Sequence, residues 1–582
     1  GGSGPAFYTG GTIDGFYERP RLDNPYLSTQ ARDLLAASII ASGTNPTTGA
    51  ALSAANITAI NDGSFRFILR KNLTDLGVRS EQAKRETYRI VGGVRGDFND
   101  DWKYEVSVNY GEFQERTRVL GNVNVQRELL ALDAVRNGAG QIVCGSQIDP
   151  TRAYDDFAGN AANLAADIAA CQPLNPFGEG SISQAARNYI LQDTTSVGKI
   201  TQLDISGFVS GDTSGFLNLP GGPIGFAVGD EYRRETAFFQ ADPLVENGYT
   251  FYNAIARFAP TSFEVTEGFA EVRLPILKDL PFAHELTVSG AARVSSYKGS
   301  AGTVVTYNGG VDYAPIPDIR FRANYARAIR APNLADLYSP VSQNFAPGFG
   351  DPCSAINIAA GTQFRAANCA AAGIPGTYDF RYAQSLEIRS GGNQNLDVET
   401  STSYTYGLVL QPRFIPGLTV SIDYYNIQVR NVITAPSAQG IVNGCYDQQD
   451  ANNAFCALFQ RDSAAGTTTG TPFRSIEGSL QQTLLNYAQL KVRGVDVDIA
   501  YQRRLGDVNL TTHLVYTHAI EGSQFLTPGS NFANSFNGEL GSPIDALNWN
   551  INADFGPLYA YYQFRYLGKM SNGAIENRTT FQ

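Results

Sequence analysis

Alternation of apolar and polar residues with a period of two runs through most of this chain and limits what it can fold into. Successive side chains of a β-strand point to opposite faces, so this period predicts strands with one apolar and one polar face. Trp102, Tyr104 and Val106 fall on one such face, whereas Lys103 and Glu105 fall on the other. About fourteen segments of roughly ten residues repeat the pattern, and ten residues is the length that a tilted strand needs to cross a bilayer. The chain is therefore expected to be all-β.

The connections between these segments are of two kinds. Some are short and rich in turn residues, such as 97–102, 277–283 and 555–557. The others are long and comprise residues 119–195, 238–262, 332–396, 434–480 and 521–545. Short turns on one side and long loops on the other are typical of an outer-membrane barrel, and a soluble sandwich rarely carries several loops of this length. Inside the loops, the apolar spacing of 126–138 and 160–171 predicts short amphipathic helices, and 47–59 is expected to be loop.

Periodicity alone does not separate a β-sandwich, whose apolar face is the core, from a barrel, whose apolar face contacts lipid. Aromatic residues at the ends of the apolar faces, such as Tyr307 with Tyr313 and Trp102 with Tyr110, resemble the girdles of a transmembrane barrel. Strand length and loop asymmetry point the same way. We therefore expect a transmembrane antiparallel β-barrel.

Composition excludes one class of function and suggests a compartment. The net charge is −11, so the chain has no basic surplus with which to bind nucleic acid. The six cysteines fall into three close pairs, each within one long loop, and disulfides would indicate an oxidising compartment. Sequential pairing is the simplest of the 15 possible arrangements, and buried free thiols are the alternative. The cysteines are Cys144, Cys171, Cys353, Cys369, Cys445 and Cys456.

No constellation of residues indicates catalysis, and we expect neither an enzyme nor a cofactor or metal site. Asp496 and Asp498 share a strand face, but a hydrated wall explains them better than a pair of catalytic carboxylates. His513 and His518 fall on opposite faces of one strand, so they are poorly placed to bind one metal ion. The glycine-rich stretch 221–226 lacks the lysine of a phosphate-binding loop.

One stretch in the middle of the chain resembles a family signature. ARAIRAPNLADLYSP (326–340) resembles the R-A-P-N…E-L-[FY]-x-P motif of TonB-dependent outer-membrane receptors, with Asp336 where glutamate is usual. CQPLNPFGEGSIS (171–183) is similar to a block in the long-loop branch of this family. Five further blocks match in the same order: GPIGFAVGDEYRRE (222–235), EGFAEVRLPILKD (267–279), GGNQNLDVETSTSYTYGLVLQP (391–412), IDYYNIQVRNVI (422–433) and RGVDVD (493–498).

The resemblance implies a 22-stranded barrel of the bacterial outer membrane whose lumen holds an N-terminal plug domain. With about fourteen strands expected, residues 1–582 are interpreted as a partial barrel with long extracellular loops. The plug, the segment that binds TonB and the closing strands are expected to lie outside this sequence. The partners implied are the plug, the TonB–ExbB–ExbD complex, the lipid bilayer with its lipopolysaccharide, and a small-molecule or oligosaccharide ligand.

Charged residues on the polar strand faces are expected to line the lumen, where they would contact either the plug or water. We expect Arg320 and Arg322 in particular to contact the plug. The candidates for a lumen-facing or plug-facing position are Arg320, Arg322, Arg293, Arg95, Asp496 and Asp498.

Aromatic residues in the long loops are candidates for the first contact with an extracellular ligand, because aromatic surfaces suit stacking on sugars or aromatic chelates. Packing of the loops against each other is an equally good explanation. Disulfides would stiffen these loops. The candidates for ligand binding are Tyr249, Phe251, Tyr252, Phe345, Phe349 and Tyr378.

The function that the resemblance implies is TonB-dependent active import of a scarce extracellular ligand, such as a ferric siderophore or a saccharide. A passive porin or channel, which would lack a plug, is the first alternative. A secreted all-β protein that acts on carbohydrate is the second, and it would be soluble in water without detergent. The sequence does not identify the ligand.

Overall fold

The period-two segments pair with their neighbours into one large antiparallel sheet. A computed structural model describes residues 20–46, 51–67, 69, 74–153, 161–250, 254–380, 385–450, 452–469, 471–525 and 534–572. The long strands are β1 (Ser80–Asp97), β2 (Trp102–Val123), β3 (Leu191–Asp212), β4 (Gly225–Gln240), β5 (Phe263–Leu280), β6 (Ala283–Tyr297), β7 (Thr303–Ile316), β8 (Ile319–Arg330), β9 (Glu399–Leu410), β10 (Leu418–Thr434), β11 (Leu485–Leu505), β12 (Val508–Phe525), β13 (Asp545–Asp554) and β14 (Tyr559–Leu567).

Each long strand pairs with the next one along the chain, and β1 and β14 form the two ends of the described sheet. Among the residues that the structure describes, the expected number of strands is found, and the all-β antiparallel class is confirmed. Most strands are longer than the expected ten residues, and β2 has 22. The difference arises because backbone pairing continues beyond the apolar stretch into segments that are polar on both faces, such as 114–118.

The connections carry short helices and strands. The helices are Thr29–Ser42, Ala54–Asp62, Val125–Leu132, Gly145–Ile148, Ala161–Ala170, Gln184–Ile190, Pro243–Glu246, Leu334–Tyr338, Arg365–Ala371 and Ala438–Asp447, with 3-10 turns at Pro150–Arg152, Ile358–Ala360 and Ala454–Leu458. The short strands are Ala134–Arg136, Ile142–Cys144, Asn218–Leu219, Gly222–Pro223, Ser342–Ala346, Leu386–Gly391, Gln481–Thr483 and Asn534–Ser535. None of the described helices has the length and apolar character needed to span a membrane.

Two of the helix expectations need correction. The described part of 47–59 is not all loop, because a helix begins at Ala54 with a capping box in which Ser53 and Asn56 cap each other's backbone N–H groups. The helix predicted for 126–138 ends at Leu132 and is followed by the short strand Ala134–Arg136. The helix predicted for 160–171 is present as Ala161–Ala170.

Buried apolar side chains are concentrated in the loops, where they form two assemblies. The first loop assembly comprises the described residues within 20–67 and 124–190, and the stacked rings of Phe67 and Phe177, 6.4 Å apart, join its two segments. The second loop assembly comprises the described residues within 331–398 and 435–484, and its two segments share one apolar core that includes Leu386, Ile441 and Leu480. Both assemblies lie at the end of the sheet opposite the short turns.

Candidate functional site

Strand register places the charged residues that the sequence predicts for the wall on one face of the sheet, which we call the polar face. Residues directly opposite each other on antiparallel strands share a face. Asp312, Arg322, Gly407, Asp423 and Asp496 follow one another in this way across five strands, β7 to β11. The other face of the same strands carries aromatic rings. It includes the cluster of Tyr307, Tyr325 and Tyr404, with ring centroids 6.1 and 5.0 Å apart.

Arg322 and Asp423 form an ion pair that passes over the glycine between them. The Arg322 guanidinium donates from Nε to Asp423 Oδ1 at 2.8 Å and from Nη2 to the Ser421 hydroxyl at 3.0 Å. A Cβ atom on Gly407 would lie 2.2 Å from Asp423 Oδ1, so a side chain at this position would displace the pair. Asp496, opposite Asp423, accepts a hydrogen bond from the Thr517 hydroxyl at 2.7 Å. Two adjacent carboxylates are thus accommodated with separate partners.

Two of the motif blocks meet at a second charged group. Glu231 and Glu267 lie opposite each other on β4 and β5, and Arg293 on β6 donates to both of them, at 3.2 and 3.0 Å. The Arg293 guanidinium also lies 5.0 Å from the centroid of the Phe269 ring. Phe269 lies opposite Gly229, where a Cβ atom would come within 2.7 Å of the ring, so the glycine leaves room for it. The arginine therefore offsets the repulsion between two carboxylates.

The remaining predicted residues of the wall lie on the same face. Arg320 donates to Glu285 at 2.6 Å, Arg95 lies opposite Glu105, and Asp498 contacts His513 Nε2 at 2.8 Å. His518, by contrast, belongs to the other face, where its Nδ1 lies 2.8 Å from Asp545 Oδ1. These pairings show that the wall itself offsets much of the charge on this face. That these residues line a lumen or contact a plug stays a prediction.

The RAPN motif forms a clasp where β8 leaves the sheet, which the sequence did not reveal. Arg330 donates to Asp336 at 2.9 Å and to Glu399, the first residue of β9, at 2.8 Å. Asn333 caps the helix Leu334–Tyr338 and exchanges two hydrogen bonds with Asp336. The backbone of Asn393, from the GGNQNL block, donates to the Asp336 carbonyl. Two motifs that are about sixty residues apart in the chain therefore hold the base of one loop closed.

The interior of the second loop assembly contains a buried ion pair between its two segments. Arg461 Nη1 and Nη2 donate to the two Asp351 carboxylate oxygens at 2.6 and 2.7 Å, and the Asp351 side chain is 0% exposed. The guanidinium also donates to the Tyr446 hydroxyl at 2.7 Å, and the Tyr378 hydroxyl donates to Asp351 at 3.0 Å. Burial raises the pKa of Tyr446, although the neighbouring Arg461 opposes this shift.

Further contacts fix the same two segments to each other. Arg365 donates to Asp447 at 2.7 Å, and the Gln439 side chain both donates to and accepts from the backbone of Gly350, at 2.9 Å in each case. Residues 389–391 and 481–483 pair as parallel strands. Because both charged pairs and the shared core cross between the segments, the two loops form one body rather than two independent flaps.

Three disulfides stiffen the loops, and each closes within a single loop. They join Cys144 to Cys171, Cys353 to Cys369, and Cys445 to Cys456, across 27, 16 and 11 residues. This is the sequential arrangement that the sequence favours as the simplest. The pairs account for every cysteine of the chain.

The loop aromatics are placed mostly in the interior. Tyr249, Phe349 and Tyr378 are buried at 4%, 5% and 8% exposure, so these rings pack the loops against each other and offer little surface to a ligand. Their burial favours the packing alternative, and a ligand-binding role for these three stays a prediction. Phe345 is partly exposed and stays a candidate. Phe251 and Tyr252 lie outside the described residues.

The described residues do not bring three His, Cys, Asp or Glu side chains together as a group that could hold a metal ion.

Comparison with known families decides what the chain is. The family model for the β-barrel of TonB-dependent receptor-like proteins matches residues 26–580. The chain belongs to this family. In such a barrel the apolar face contacts lipid and the polar face lines the lumen.

Solved structures of similar shape include receptors for siderophores and a peptide importer. The siderophore receptor PirA from Acinetobacter baumannii is 12% identical, with a TM-score of 0.45, and the match covers 87% of this chain and 54% of PirA. The ferric-catecholate import receptor Fiu from E. coli K12 is 11% identical, with a TM-score of 0.42, and the match covers 90% of this chain and 58% of Fiu. The RagAB peptide importer is 9% identical, with a TM-score of 0.45, and the match covers 87% of this chain and 50% of the matched RagAB chain.

The chain thus spans 50 to 58% of the length of these three relatives. No curated protein matches it.

Proposed function

We propose that the complete protein is an active importer of the bacterial outer membrane that takes up a scarce extracellular ligand with energy delivered through TonB. The observation that carries this proposal is membership of the TonB-dependent receptor-like family over residues 26–580. The polar face, with its paired charges, supports it, because a lumen that holds a polar plug needs such a wall. The barrel itself does no chemistry in this account.

The loop assemblies are the proposed site of first contact with the ligand. Each has its own apolar core and at least one disulfide, so each presents a surface that is ordered before the ligand arrives. A ferric siderophore, a saccharide or another small ligand would bind there and at the plug. The TonB–ExbB–ExbD complex would then act on the plug, while lipid and lipopolysaccharide surround the apolar face.

Arg320 and Arg322 remain our proposed contacts for the plug. Both already bind carboxylates of the wall, at 2.6 and 2.8 Å, so a plug would have to share these arginines or approach through their exposed donors. A structure of the complete protein tests this directly. Plug atoms within hydrogen-bond distance of either guanidinium would support the contact, and a plug that touches neither would exclude it.

Permeability of liposomes that contain the complete purified protein separates an importer from a passive channel. We expect no permeation by small sugars or salts, because the plug would fill the lumen. Rapid permeation that depends on solute size would instead support a porin. Solubility without detergent would support the third possibility, a secreted carbohydrate-active protein.

A further inference from the structure

The face of the sheet opposite the polar face, called here the lipid face, changes from apolar to basic near its loop end. Before the cluster of Tyr307, Tyr325 and Tyr404 is reached, the lipid face of β8 and β11 carries apolar residues. They are Ile319, Phe321 and Ala323 on β8 and Val495, Val497 and Ile499 on β11. An apolar band that ends at aromatic residues is the part of a barrel wall that contacts the hydrocarbon of the bilayer. Residues just beyond the tyrosines therefore lie at the level of the lipid headgroups.

The row of side chains that follows the tyrosines has a cation at each end. Strand register places Arg327 opposite Thr402, which lies opposite Gln428. Gln428 in turn lies opposite Lys491, and we call these four residues the basic row. The row crosses three strand spacings of about 4.8 Å, so the backbones of Arg327 and Lys491 are about 14 Å apart. Arg430, two residues beyond Gln428 on β10, donates to the Gln428 side chain at 3.3 Å.

The positive charge of the basic row is not offset by the wall. Among the residues that the structure describes, neither Arg327 nor Lys491 forms an ion pair. The Lys491 ammonium lies 5.0 Å from the centroid of the Phe525 ring. Arg493, which precedes the row on β11, is by contrast paired with Glu521 at 2.8 Å. Since the net charge of the whole chain is −11, this local excess of cations is not a general property of the surface.

The lipid face points away from the lumen, so a plug does not reach the basic row. The outer leaflet reaches it, because the long loops of an outer-membrane barrel lie at the cell surface. In the bacterial outer membrane this leaflet consists of lipopolysaccharide, whose lipid A carries phosphate groups on a disaccharide. A guanidinium binds phosphate through two parallel hydrogen bonds, and an ammonium binds it as a point charge. Hydroxyl and amide groups such as those of Thr402 and Gln428 donate further hydrogen bonds.

We propose that the basic row binds the phosphate groups of lipopolysaccharide, with Arg327 and Lys491 as the charged ligands. The inference rests on the proposed function, because a barrel meets this lipid with its loop end only in the outer membrane. It assigns one sector of the wall, β8 to β11, as a lipid-binding site. Arg327 lies three residues before Arg330 of the clasp, so the bound lipid would brace a strand end that carries the second loop assembly.

Native mass spectrometry of the complete protein in detergent, titrated with bisphosphorylated lipid A, tests the proposal. We expect affinity to fall about fivefold in Arg327→Gln and in Lys491→Gln, and about 25-fold in the double variant, because each cation contributes independently. Arg503→Gln is the matched control, since Arg503 lies on the lipid face of β11 at the end with the short turns. The affinity of this variant should stay within about twofold of wild type.

Two further measurements keep the test independent of how the variants fold. Circular dichroism checks the fold of each variant. Lipid A without its two phosphates should bind the wild-type protein about tenfold or more weakly than the bisphosphorylated form, because the cations then have no anionic partner. This comparison requires no substitution.

Failure of this inference can be told apart from failure of the proposed function. Equal binding of lipid A with and without phosphates, or a double variant that binds like wild type, overturns the lipid site, whereas TonB-dependent uptake of a ligand decides on the importer. A wild-type dimer that dissociates in the double variant would assign the basic row to a second copy of the chain and also overturns the lipid site. Lipid A binding that depends on the phosphates and on the row, without TonB-dependent uptake of any ligand, supports the lipid site and overturns the importer.

Discussion

The buried ion pair between Arg461 and Asp351 makes the second loop assembly one cooperative body, and Arg461→Met tests this directly. The variant keeps an unbranched side chain in the space but leaves the Asp351 carboxylate charged, with no solvent exposure. Breaking a buried pair in this way costs about 3–5 kcal/mol. The loss of cation–π contacts with Tyr446 and Phe459, at 5.2 and 5.8 Å, adds to the cost.

Hydrogen exchange of the complete protein in detergent, followed by mass spectrometry, measures the effect where it occurs. A loss of about 3–5 kcal/mol corresponds to exchange that is roughly 10² to 5 × 10³ times faster. Peptides from both segments of the second loop assembly should accelerate together. Peptides from the first loop assembly should not change, because Arg461→Met leaves the contacts of that assembly intact.

Two further variants separate the buried charge from other effects. Arg413→Met removes an arginine from an equally short pair with Asp318, 2.7 Å, but this side chain is 72% exposed, so the change should cost less than about 1 kcal/mol. Arg461→Met combined with Asp351→Asn should recover at least half of the lost protection, because no buried charge then remains. Less than a tenfold acceleration in Arg461→Met, or acceleration in only one of the two segments, would refute the idea of a single body.

Three other changes test separate parts of the account. Gly407→Ala should lower the free energy of unfolding in urea by about 1–3 kcal/mol, because its Cβ would collide with the Arg322–Asp423 pair. Gly309→Ala should lower it by less, because its Cβ would lie 3.9 Å from the nearest atom. Equal losses in the two variants would contradict this reasoning. Replacing Cys144 and Cys171 by alanine should reduce protection of the first loop assembly by about 3 kcal/mol, since a loop of 27 residues is released, with the second assembly as the internal control. Arg330→Met leaves Glu399 and Asp336 without their shared arginine and should increase hydrogen exchange at 334–338 and at 391–396 together by about tenfold or more; a change confined to one of them would argue against the clasp.

The sheet could be predicted because each strand carries its own local signal. In β2, Trp102, Tyr104 and Val106 alternate with Lys103 and Glu105, and the structure keeps this alternation in register with both neighbouring strands. Strand ends were less predictable, because beyond the apolar stretch only backbone pairing with a neighbour extends the strand. Such pairing leaves no pattern in a single sequence.

The loop interior and the charged pairs could not be predicted for a related reason. Arg461 and Asp351 are 110 residues apart, and the sequence around neither residue indicates that the two pair. Tyr378 and Phe349 lie in polar segments, where the sequence leaves ligand contact and packing equally open, and only tertiary packing shows that both are buried. The sheet face of the six charged residues assigned to the wall was easier to predict, because alternate residues along a strand lie on opposite faces.

Uptake by intact cells tests the central claim most directly. Cells that produce the complete protein should accumulate a bound radiolabelled ligand against its concentration gradient, and deletion of TonB or collapse of the proton gradient should reduce the initial rate to that of cells without the protein. Accumulation that stays the same without TonB, or simple equilibration of the ligand across the membrane, would contradict the account and identify a passive channel.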